Sequence, residues 1–340
     1  MFDSKEHTNR LRASFQTTKN TQGIPIWYMR QAGRYLPEYQ KAMHGRENFL
    51  SACYTKDLVT EVTLQPIERF DIDAAIIFSD IMVVPDVLGF DVQFYRGHGP
   101  KINIETRQIR CVEESLNLTI PVLESIRQVR SILHESKALI GFAGSPWTVA
   151  TYILGHEKNT TELIRRHRSG DTSISNLIEE ITNFTALYLR KQIEYGADVI
   201  QLFDSNAGGL PFDLFKSFVI NPTQKIVAEI QSSFPDIPII GFPKGAGVMY
   251  KDYSSHSGVQ ATCVDYSIPP YWIKDNISCA IQGNLDPSLL AYDIDTAISK
   301  ASEIVSVLKN KPLIFNLGHG IIPSTPPDNV KRLTDHVRSL

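Results

Sequence analysis

Two arginines, Arg30 and Arg34, stand four residues apart in the stretch P-I-W-Y-M-R-Q-A-G-R-Y-L-P-E-Y that covers residues 25–39. If this stretch turns helically, both lie on one face, where like charges repel by about 0.2–0.5 kcal/mol. Guanidinium groups bind carboxylates or phosphates through paired hydrogen bonds, so a shared anion would offset that repulsion. The alternative is that one arginine forms a structural pair with Glu38 or Glu61. Because the pair directly follows an apolar run, we favour anion binding.

A carboxylate, Asp80, follows another apolar run in the stretch F-S-D-I. An aspartate at this place is often the N-cap of the next helix. It could equally accept hydrogen bonds from N–H groups of a ligand, or face a cation that develops during a reaction. The sequence alone leaves both interpretations open.

Three further polar residues are candidates for the same site. His319 lies between Gly318 and Gly320, and we predict that it is functional, with helix capping as the alternative. Tyr152 could donate a hydrogen bond to a ligand, although packing is the default for a single tyrosine. Ser205 lacks the G-x-S-x-G frame of a serine nucleophile, so we expect it to hydrogen-bond a substrate instead.

These residues must be positioned by the elements that precede them. Eight short apolar runs recur along the chain between amphipathic stretches, and continuous apolar runs are typical of parallel strands buried on both faces. The runs are Ile24–Met29, Ala74–Phe78, Ala138–Phe142, Asp198–Phe203, Ile237–Phe242, Ala261–Val264, Cys279–Gln282 and Pro312–Asn316. A polar or glycine-bearing cluster follows each run. Eight strand–helix units predict a (β/α)8 TIM barrel, in which these clusters surround the mouth at the carboxyl ends of the strands.

The chain is predicted to form one domain over residues 1–340, because it contains no internal repeat, low-complexity tract or linker. Residues 1–20 are expected to be a less ordered N-terminal segment. Between Pro85 and Cys111, after the second strand, a longer insertion contains Gly97 and the apolar pair Val92 and Phe94. Its alternation predicts a hairpin.

Composition narrows the class of protein. A formal net charge of −3 lacks the basic footprint of general nucleic-acid binders. The four cysteines contain no C-x-x-C pair, which suits a reduced compartment, and the polar N-terminus has no apolar signal core. No apolar run approaches the length of a membrane span. We therefore expect a cytoplasmic protein without a nucleic-acid or membrane partner.

Neither a metal nor a nucleotide cofactor has support in the sequence. There is no H-E-x-x-H or His-x-Cys element, and no group with zinc-ligand spacing. The phosphate-binding patterns G-x-x-x-x-G-K-[ST] and G-x-G-x-x-G are also absent. We expect no cofactor and no metal.

The stretch at residues 25–39, together with G-F-A-G-S-P-W-T at 141–148, resembles the uroporphyrinogen decarboxylase family. F-S-D-I at 78–81, Q-G-N-L-D-P at 282–287 and N-L-G-H-G at 316–320 support the resemblance, which extends from Pro25 to Pro323. It implies a (β/α)8 barrel that converts the four acetate side chains of uroporphyrinogen III to methyl groups, giving coproporphyrinogen III for heme biosynthesis. It also implies a homodimer whose active-site clefts face each other.

Carried over residue by residue, the resemblance implies that Arg30 and Arg34 bind substrate carboxylates and that Asp80 accepts hydrogen bonds from the pyrrole N–H groups. It places Tyr152, Ser205 and His319 around the substrate, a polycarboxylate tetrapyrrole. The sequence departs from the usual family pattern at residues 153–159, 204–206 and 263–266. These departures concern loop details rather than the arginine pair or Asp80.

The residues suit a decarboxylation that uses no cofactor. Loss of CO2 requires an electron sink, and a pyrrole protonated at a ring carbon supplies its own. Asp80 would stabilise the resulting cation by a charge that is in place before the reaction. Because arginine is a poor acid at its ordinary pKa of about 12 or higher, we favour His319 or a water-relayed proton as the acid.

Three other functions are compatible with a barrel of this kind. A methyltransferase of the same superfamily would carry a zinc site with a His-x-Cys element. A phosphate-binding barrel would use the glycine-rich loops after strands seven and eight. A tetrapyrrole carrier would bind a porphyrinogen and return it unchanged.

Overall fold

The chain forms an α/β structure in a computed structural model that describes residues 9–46, 48–95, 99–155 and 159–340. The strands are β1 (Ala74–Ile76), β2 (Asp91–Phe94), β3 (Pro100–Asn103), β4 (Ala138–Gly144), β5 (Val199–Asp204), β6 (Ile239–Pro243), β7 (Ala261–Cys263), β8 (Ala280–Leu285) and β9 (Leu313–Leu317). The helices are α1 (Arg10–Ser14), α2 (Pro37–Ala42), α3 (Phe49–Cys53), α4 (Lys56–Arg69), α5 (Val83–Val87), α6 (Val112–Leu118), α7 (Ile120–Ile132), α8 (Pro146–Ile153), α9 (Thr161–Arg168), α10 (Ser173–Glu194), α11 (Phe212–Phe215), α12 (Asn221–Ser233), α13 (Tyr250–His256), α14 (Pro270–Asn276), α15 (Pro287–Tyr292), α16 (Ile294–Leu308) and α17 (Pro327–Ser339). A π-helical turn, Lys216–Ile220, joins α11 to α12, and a 3-10 turn, Gly247–Met249, precedes α13.

Seven strands form one curled parallel sheet in the order β1-β4-β5-β6-β7-β8-β9. Neighbouring strands follow each other in the chain with helices between them, as expected for successive βαβ units. Every residue of β4, β6, β8 and β9 is buried, which agrees with strands covered on both faces. Seven of the eight apolar runs are therefore confirmed as strands of one parallel sheet.

The first apolar run, Ile24–Met29, differs from the prediction. It forms only one isolated parallel bridge, between Ile26 and Phe315. Two backbone N–H groups that could bond to a neighbouring strand instead donate to side chains. The N–H of Ile26 donates to Asp73 Oδ2 at 2.7 Å, and the N–H of Met29 donates to Asn316 Oδ1 at 3.1 Å. The segment is thus extended and buried, and both backbone groups and side chains of the neighbouring segments hydrogen-bond it.

The insertion after β1 contains β2 and β3, which pair antiparallel from Asp91 opposite Asn103 to Phe94 opposite Pro100. Gly97, which belongs to the expected hairpin, lies outside the described residues.

The inner face of the sheet is packed with side chains. Its apolar residues include Trp27, Ile140, Val199 and Phe242. A polar chain crosses this layer, because Trp27 Nε1 donates to Gln282 Oε1 at 2.9 Å and Gln282 Nε2 donates to Gln201 Oε1 at 3.1 Å. Hydrogen bonding makes the burial of these amides tolerable.

The N-terminal part of the chain reaches the sheet through α1. Leu11 is fully buried, and Arg10 forms an ion pair with Asp73 at 3.2 Å. Of the segment 1–20 that was expected to be less ordered, residues 1–8 lie outside the described part of the chain. No helix among the described residues is long and apolar enough to cross a membrane.

Candidate active site

One cavity of about 820 Å³ opens at the carboxyl ends of the strands. All six residues that the sequence singled out line it: Arg30, Arg34, Asp80, Tyr152, Ser205 and His319. They come from loops after the segment 24–29, β1, β5 and β9, and from α8, so the curled sheet brings together residues that are far apart in sequence.

The loop that carries the arginine pair is not helical. Residues 30–36 form turns and bends, and α2 begins only at Pro37. The loop is tied to the sheet because Gln31 Nε2 donates to the carbonyl of Ala74 at 3.0 Å, while Tyr35 Oη donates to the carbonyl of Gln31 at 2.8 Å. Both arginines line the cavity nevertheless, so their approach results from a hydrogen-bonded loop rather than from a helix face.

Arg30 has a strained backbone. Its φ of 60° is the one positive value at a non-glycine position among the described residues. An L-residue in this region costs roughly 1–2 kcal/mol, and such strain is concentrated at functional sites. The conformation turns the side chain into the cavity beside Gly320.

Arg30 and Arg34 form no ion pairs with the carboxylates of described residues. Glu38, one of the partners considered above, forms a two-pronged ion pair with Arg69, whose Nε lies 2.7 Å from Glu38 Oε1. Within the described part of the chain neither Arg30 nor Arg34 has an ion pair. Burial lowers the pKa of Arg30, Asp80 opposes this decrease, and the like charge of Arg34 adds to it. Two cations therefore remain available to an anion in the cavity.

Asp80 lines the cavity and also accepts a local backbone hydrogen bond. Its Oδ1 accepts the N–H of Met82 at 2.8 Å, which orders the turn before α5. Burial raises the pKa of Asp80 to about 6, while the bond to Met82 and the charge of Arg30 oppose the increase. The carboxylate is thus mainly ionised at neutral pH and lies in a desolvated place near Arg30.

His319 lies at the end of β9, with its ring centroid 6.4 Å from that of Phe242. Burial, together with the charges of Arg30 and Lys244, lowers its pKa to about 4. The imidazole is therefore neutral at neutral pH, where it can donate a hydrogen bond but holds no extra proton.

Sequence reasoning missed one cation and the aromatic wall of the cavity. Arg46 lines the cavity a short distance after α2, and its Nε makes only a 3.4 Å bond to the carbonyl of Ala42. Phe49 packs against Phe78 and Phe94, with ring centroids 5.6 and 5.4 Å apart. The G-R pair at 45–46 in the loop after the arginine motif was the available signal for Arg46; the aromatic contacts link separate segments and had none.

The three segments that depart from the usual family pattern, residues 153–159, 204–206 and 263–266, differ in their structural surroundings. Residues 156–158 lie outside the described residues. Asp204 and Asn206 form a hydrogen-bonded cluster with Thr148 and Thr151 of α8. Asp265 accepts the N–H of Gly245 at 2.7 Å and the hydroxyl of Tyr250 at 2.9 Å, so it supports two loops at the mouth.

Over the described ranges of the chain, no three histidine, cysteine, aspartate or glutamate residues lie close enough together to hold a metal ion.

The chain that forms this cavity is similar to known proteins of one family. Residues 7–340 match the family model described as uroporphyrinogen decarboxylase (URO-D). A protein named uroporphyrinogen decarboxylase from Wolbachia sp. subsp. Drosophila simulans (strain wRi) is 52% identical over 320 residues, covering 93% of this chain and 94% of the relative. Its namesake from Mesorhizobium japonicum is 45% identical over 322 residues, with 93% and 94% covered.

Among solved structures, a methyltransferase from Methanosarcina mazei superposes with a TM-score of 0.79 and covers 98% of each chain. At 18% identity this likeness concerns the fold alone. The match of the family model over nearly the whole chain, and relatives of about half identical sequence, lead to one conclusion: this chain belongs to the uroporphyrinogen decarboxylase family.

Proposed function

We propose that this chain removes the carboxyl groups of the four acetate side chains of uroporphyrinogen III, giving coproporphyrinogen III in heme biosynthesis without a cofactor. The observation that carries this proposal is one cavity lined by two arginines, which have no ion pairs to described residues, and by a half-buried carboxylate, Asp80. The curated relatives bear the name of the same activity.

The two arginines and Asp80 bind different groups of the substrate. Arg30 and Arg34 bind carboxylates of the substrate, since guanidinium groups hold them with directional, charge-assisted hydrogen bonds. The carboxylate of Asp80 accepts hydrogen bonds from pyrrole N–H groups. Its negative charge is in place before the reaction, so no reorganisation is needed when the pyrrole becomes cationic.

Each decarboxylation consumes one proton and releases one CO2. A proton adds to a ring carbon of the pyrrole, and the positive charge spreads to the ring nitrogen opposite Asp80. The bond between the acetate methylene and its carboxylate breaks, its electron pair neutralises the cation, and protonation of the methylene carbon with loss of the ring proton leaves a methyl group.

The lowered pKa values of His319 and Arg30 bear on which group donates the proton. The sequence favours His319 or a water-relayed proton, but the pKa of His319, lowered to about 4, leaves its imidazole unprotonated at neutral pH. The pKa of Arg30 is lowered by burial, which makes this arginine a better acid than a solvated one. We therefore assign proton delivery to Arg30 or to water beside it, and give His319, Tyr152 and Ser205 hydrogen bonds to the substrate.

Anaerobic incubation of purified, metal-stripped protein with chemically reduced uroporphyrin III tests the activity. Chromatography of the oxidised products by carboxyl count should show stepwise conversion from the octacarboxylate to the tetracarboxylate. Asp80→Gly and Asp80→Asn should cripple conversion without unfolding the chain, whereas Asp236→Asn, at an exposed position, should leave it unchanged. Unchanged octacarboxylate with folded wild-type protein would refute the proposal.

The curled sheet forms the larger part of a closed (β/α)8 barrel, with the whole chain as a single domain. The segment 24–29 lies between β9 and β1, since Phe315 donates its N–H to Pro25 at 2.8 Å and Asp73 donates its N–H to Ile26 at 2.7 Å. Slow hydrogen exchange at these two amides and one cooperative unfolding transition would support closure. Fast exchange at both would refute it.

The chain works as a cytoplasmic homodimer whose cavities face each other. All four cysteines are unpaired, as is usual in a reduced compartment. Exposed apolar side chains follow four successive strands at the mouth: Phe212, Val248, Tyr266, Tyr271 and Tyr292. A second copy of this chain would cover such a patch.

Sedimentation tests the dimer. Tyr271→Asp should produce monomers, whereas Ile132→Asp, which changes an exposed apolar residue at the opposite ends of the strands, should not. A wild-type chain that sediments as a monomer at micromolar concentration would refute the dimer.

A further inference from the structure

Thr148 lies in the first turn of α8 and is fully buried between this helix and the end of β5. Its hydroxyl donates a hydrogen bond to Oδ1 of Asp204 and accepts the backbone N–H of Asn206 at 3.0 Å. Asp204 and Asn206 are the two neighbours of Ser205. A single hydroxyl group therefore holds the chain on both sides of a serine that lines the cavity.

The other bonds of α8 reinforce this attachment. Thr151 Oγ1 accepts from Asn206 Nδ2 at 2.8 Å, and Trp147 Nε1 donates to the carbonyl of Asn206 at 2.9 Å. Asn206 is thus held through its backbone N–H, its carbonyl and its side chain, all from one helix. The same helix carries Tyr152, so two walls of the cavity are joined at this cluster.

Ser205 itself is not held through its side chain by any described residue. The direction of its hydroxyl is therefore set by the backbone that Asp204 and Asn206 anchor. Asp204 is almost completely buried, and its second oxygen has no hydrogen-bond partner among the described residues. Loss of the Thr148 hydroxyl would leave this carboxyl group without a side-chain hydrogen bond and would loosen the turn, which Trp147 and Thr151 would then hold only at Asn206.

We propose that Thr148 is a positioning residue for the reaction: its hydroxyl clamps the turn at 204–206 so that Ser205 faces the substrate beside Tyr152. This inference rests on the proposed role of Ser205 in binding the tetrapyrrole.

The test compares Thr148→Val, Ser205→Ala and the double variant in steady-state decarboxylation of uroporphyrinogen III. Thr148→Val and Ser205→Ala should each lower kcat/KM by about tenfold, since each removes the benefit of one hydrogen bond to substrate. In the double variant, loss of the clamp should lower kcat/KM no further than Ser205→Ala alone. Thr148→Ser, which keeps the hydroxyl, should restore most of the activity.

Thr185→Val is the matched control, because Thr185 is also fully buried in a helix, yet its hydroxyl has no partner among the described residues. It should leave kcat/KM unchanged. If Thr148→Val does not fold, Asn206→Ala removes only the bond to Thr151 and should show a smaller loss of the same non-additive kind.

If the loss of kcat/KM in the double variant equals the product of the two single losses, the inference is overturned, because Thr148 would then act on something other than Ser205. An impaired Thr148→Val beside a fully active Ser205→Ala would overturn it as well. Binding of oxidised uroporphyrin III, followed by its fluorescence, repeats the comparison without turnover. A wild-type chain that binds this porphyrin but does not decarboxylate uroporphyrinogen would refute the proposed function, while the clamp would still be judged by the binding series.

Discussion

The side chain of Arg30 lies against the backbone of Gly320, where a Cβ atom would stand 2.3 Å from Arg30 Cδ and 2.6 Å from Arg30 Cγ. The arginine motif near the start of the chain and the glycine-flanked histidine near its end therefore fit together. A glycine at position 320 is required because an arginine passes over it, not because of its own φ.

Gly320→Ala should displace Arg30 and lower kcat/KM by about 100-fold, the effect of a small misplacement of a substrate-binding group. The free energy of unfolding should change by less than about 1 kcal/mol, since the atoms in the way belong to the flexible side chain of Arg30 and not to backbone. Kinetics and urea unfolding measure the two effects. In an Arg30→Ala background the same glycine substitution should cause no further loss of activity, and a fully active Gly320→Ala would contradict the argument.

The positive φ of Arg30 predicts an unusual order of stability. Arg30→Gly should be more stable than Arg30→Ala by roughly 1 kcal/mol, since glycine is the residue that tolerates this backbone region. Both variants should lose activity. Arg34, whose φ is not positive, is the control: there glycine should be no more stable than alanine. The same order of stability at both positions would speak against strain at Arg30.

Asp80 should set the acid limb of the pH profile. Its pKa of about 6 lies above the ordinary value, so protonation removes the required negative charge as the pH falls through 6. We expect kcat/KM to decrease about tenfold per pH unit below that point. Asp80→Asn should lack this limb, whereas Asp236→Asn should keep it. A wild-type limb near pH 4 would point to substrate carboxyl groups instead.

His319→Asn should slow turnover by about tenfold and let partly decarboxylated intermediates accumulate, because a neutral imidazole contributes a hydrogen bond and an amide can replace part of it. His256→Asn, at an exposed position of α13, should have no effect. A loss of 1,000-fold or more would be the effect of a general acid and would return the proton donor to His319.

The parallel sheet was predictable because buried strands require continuous apolar runs, and seven of the eight runs are strands. The exception, residues 24–29, could not be foreseen. Its hydrogen-bond partners, Asp73, Phe315 and Asn316, are distant in the sequence, and no local pattern shows that side-chain bonds from Asp73 and Asn316 take the place of part of a ladder.

The six site residues were chosen from their places after apolar runs and from the family resemblance, and the structure brings them to one cavity. Their assigned roles remain proposals. The helical turn that would place Arg30 and Arg34 on one face is not formed, since their loop is held by Gln31 and Tyr35. The pair reaches the cavity because both arginines follow an extended segment at the mouth.

Residue types and their spacing are enough to show where the buried strands run, which polar residues follow them, and which motifs are those of the family. The state of those residues depends on the folded chain: the ionisation of Asp80, the neutrality of His319 and the strained turn at Arg30. Desolvation, neighbouring charge and close packing are set by atoms from distant segments, so no local pattern shows them. Gly320 beneath Arg30, and Thr148 beside Ser205, are contacts that exist only after the sheet has curled.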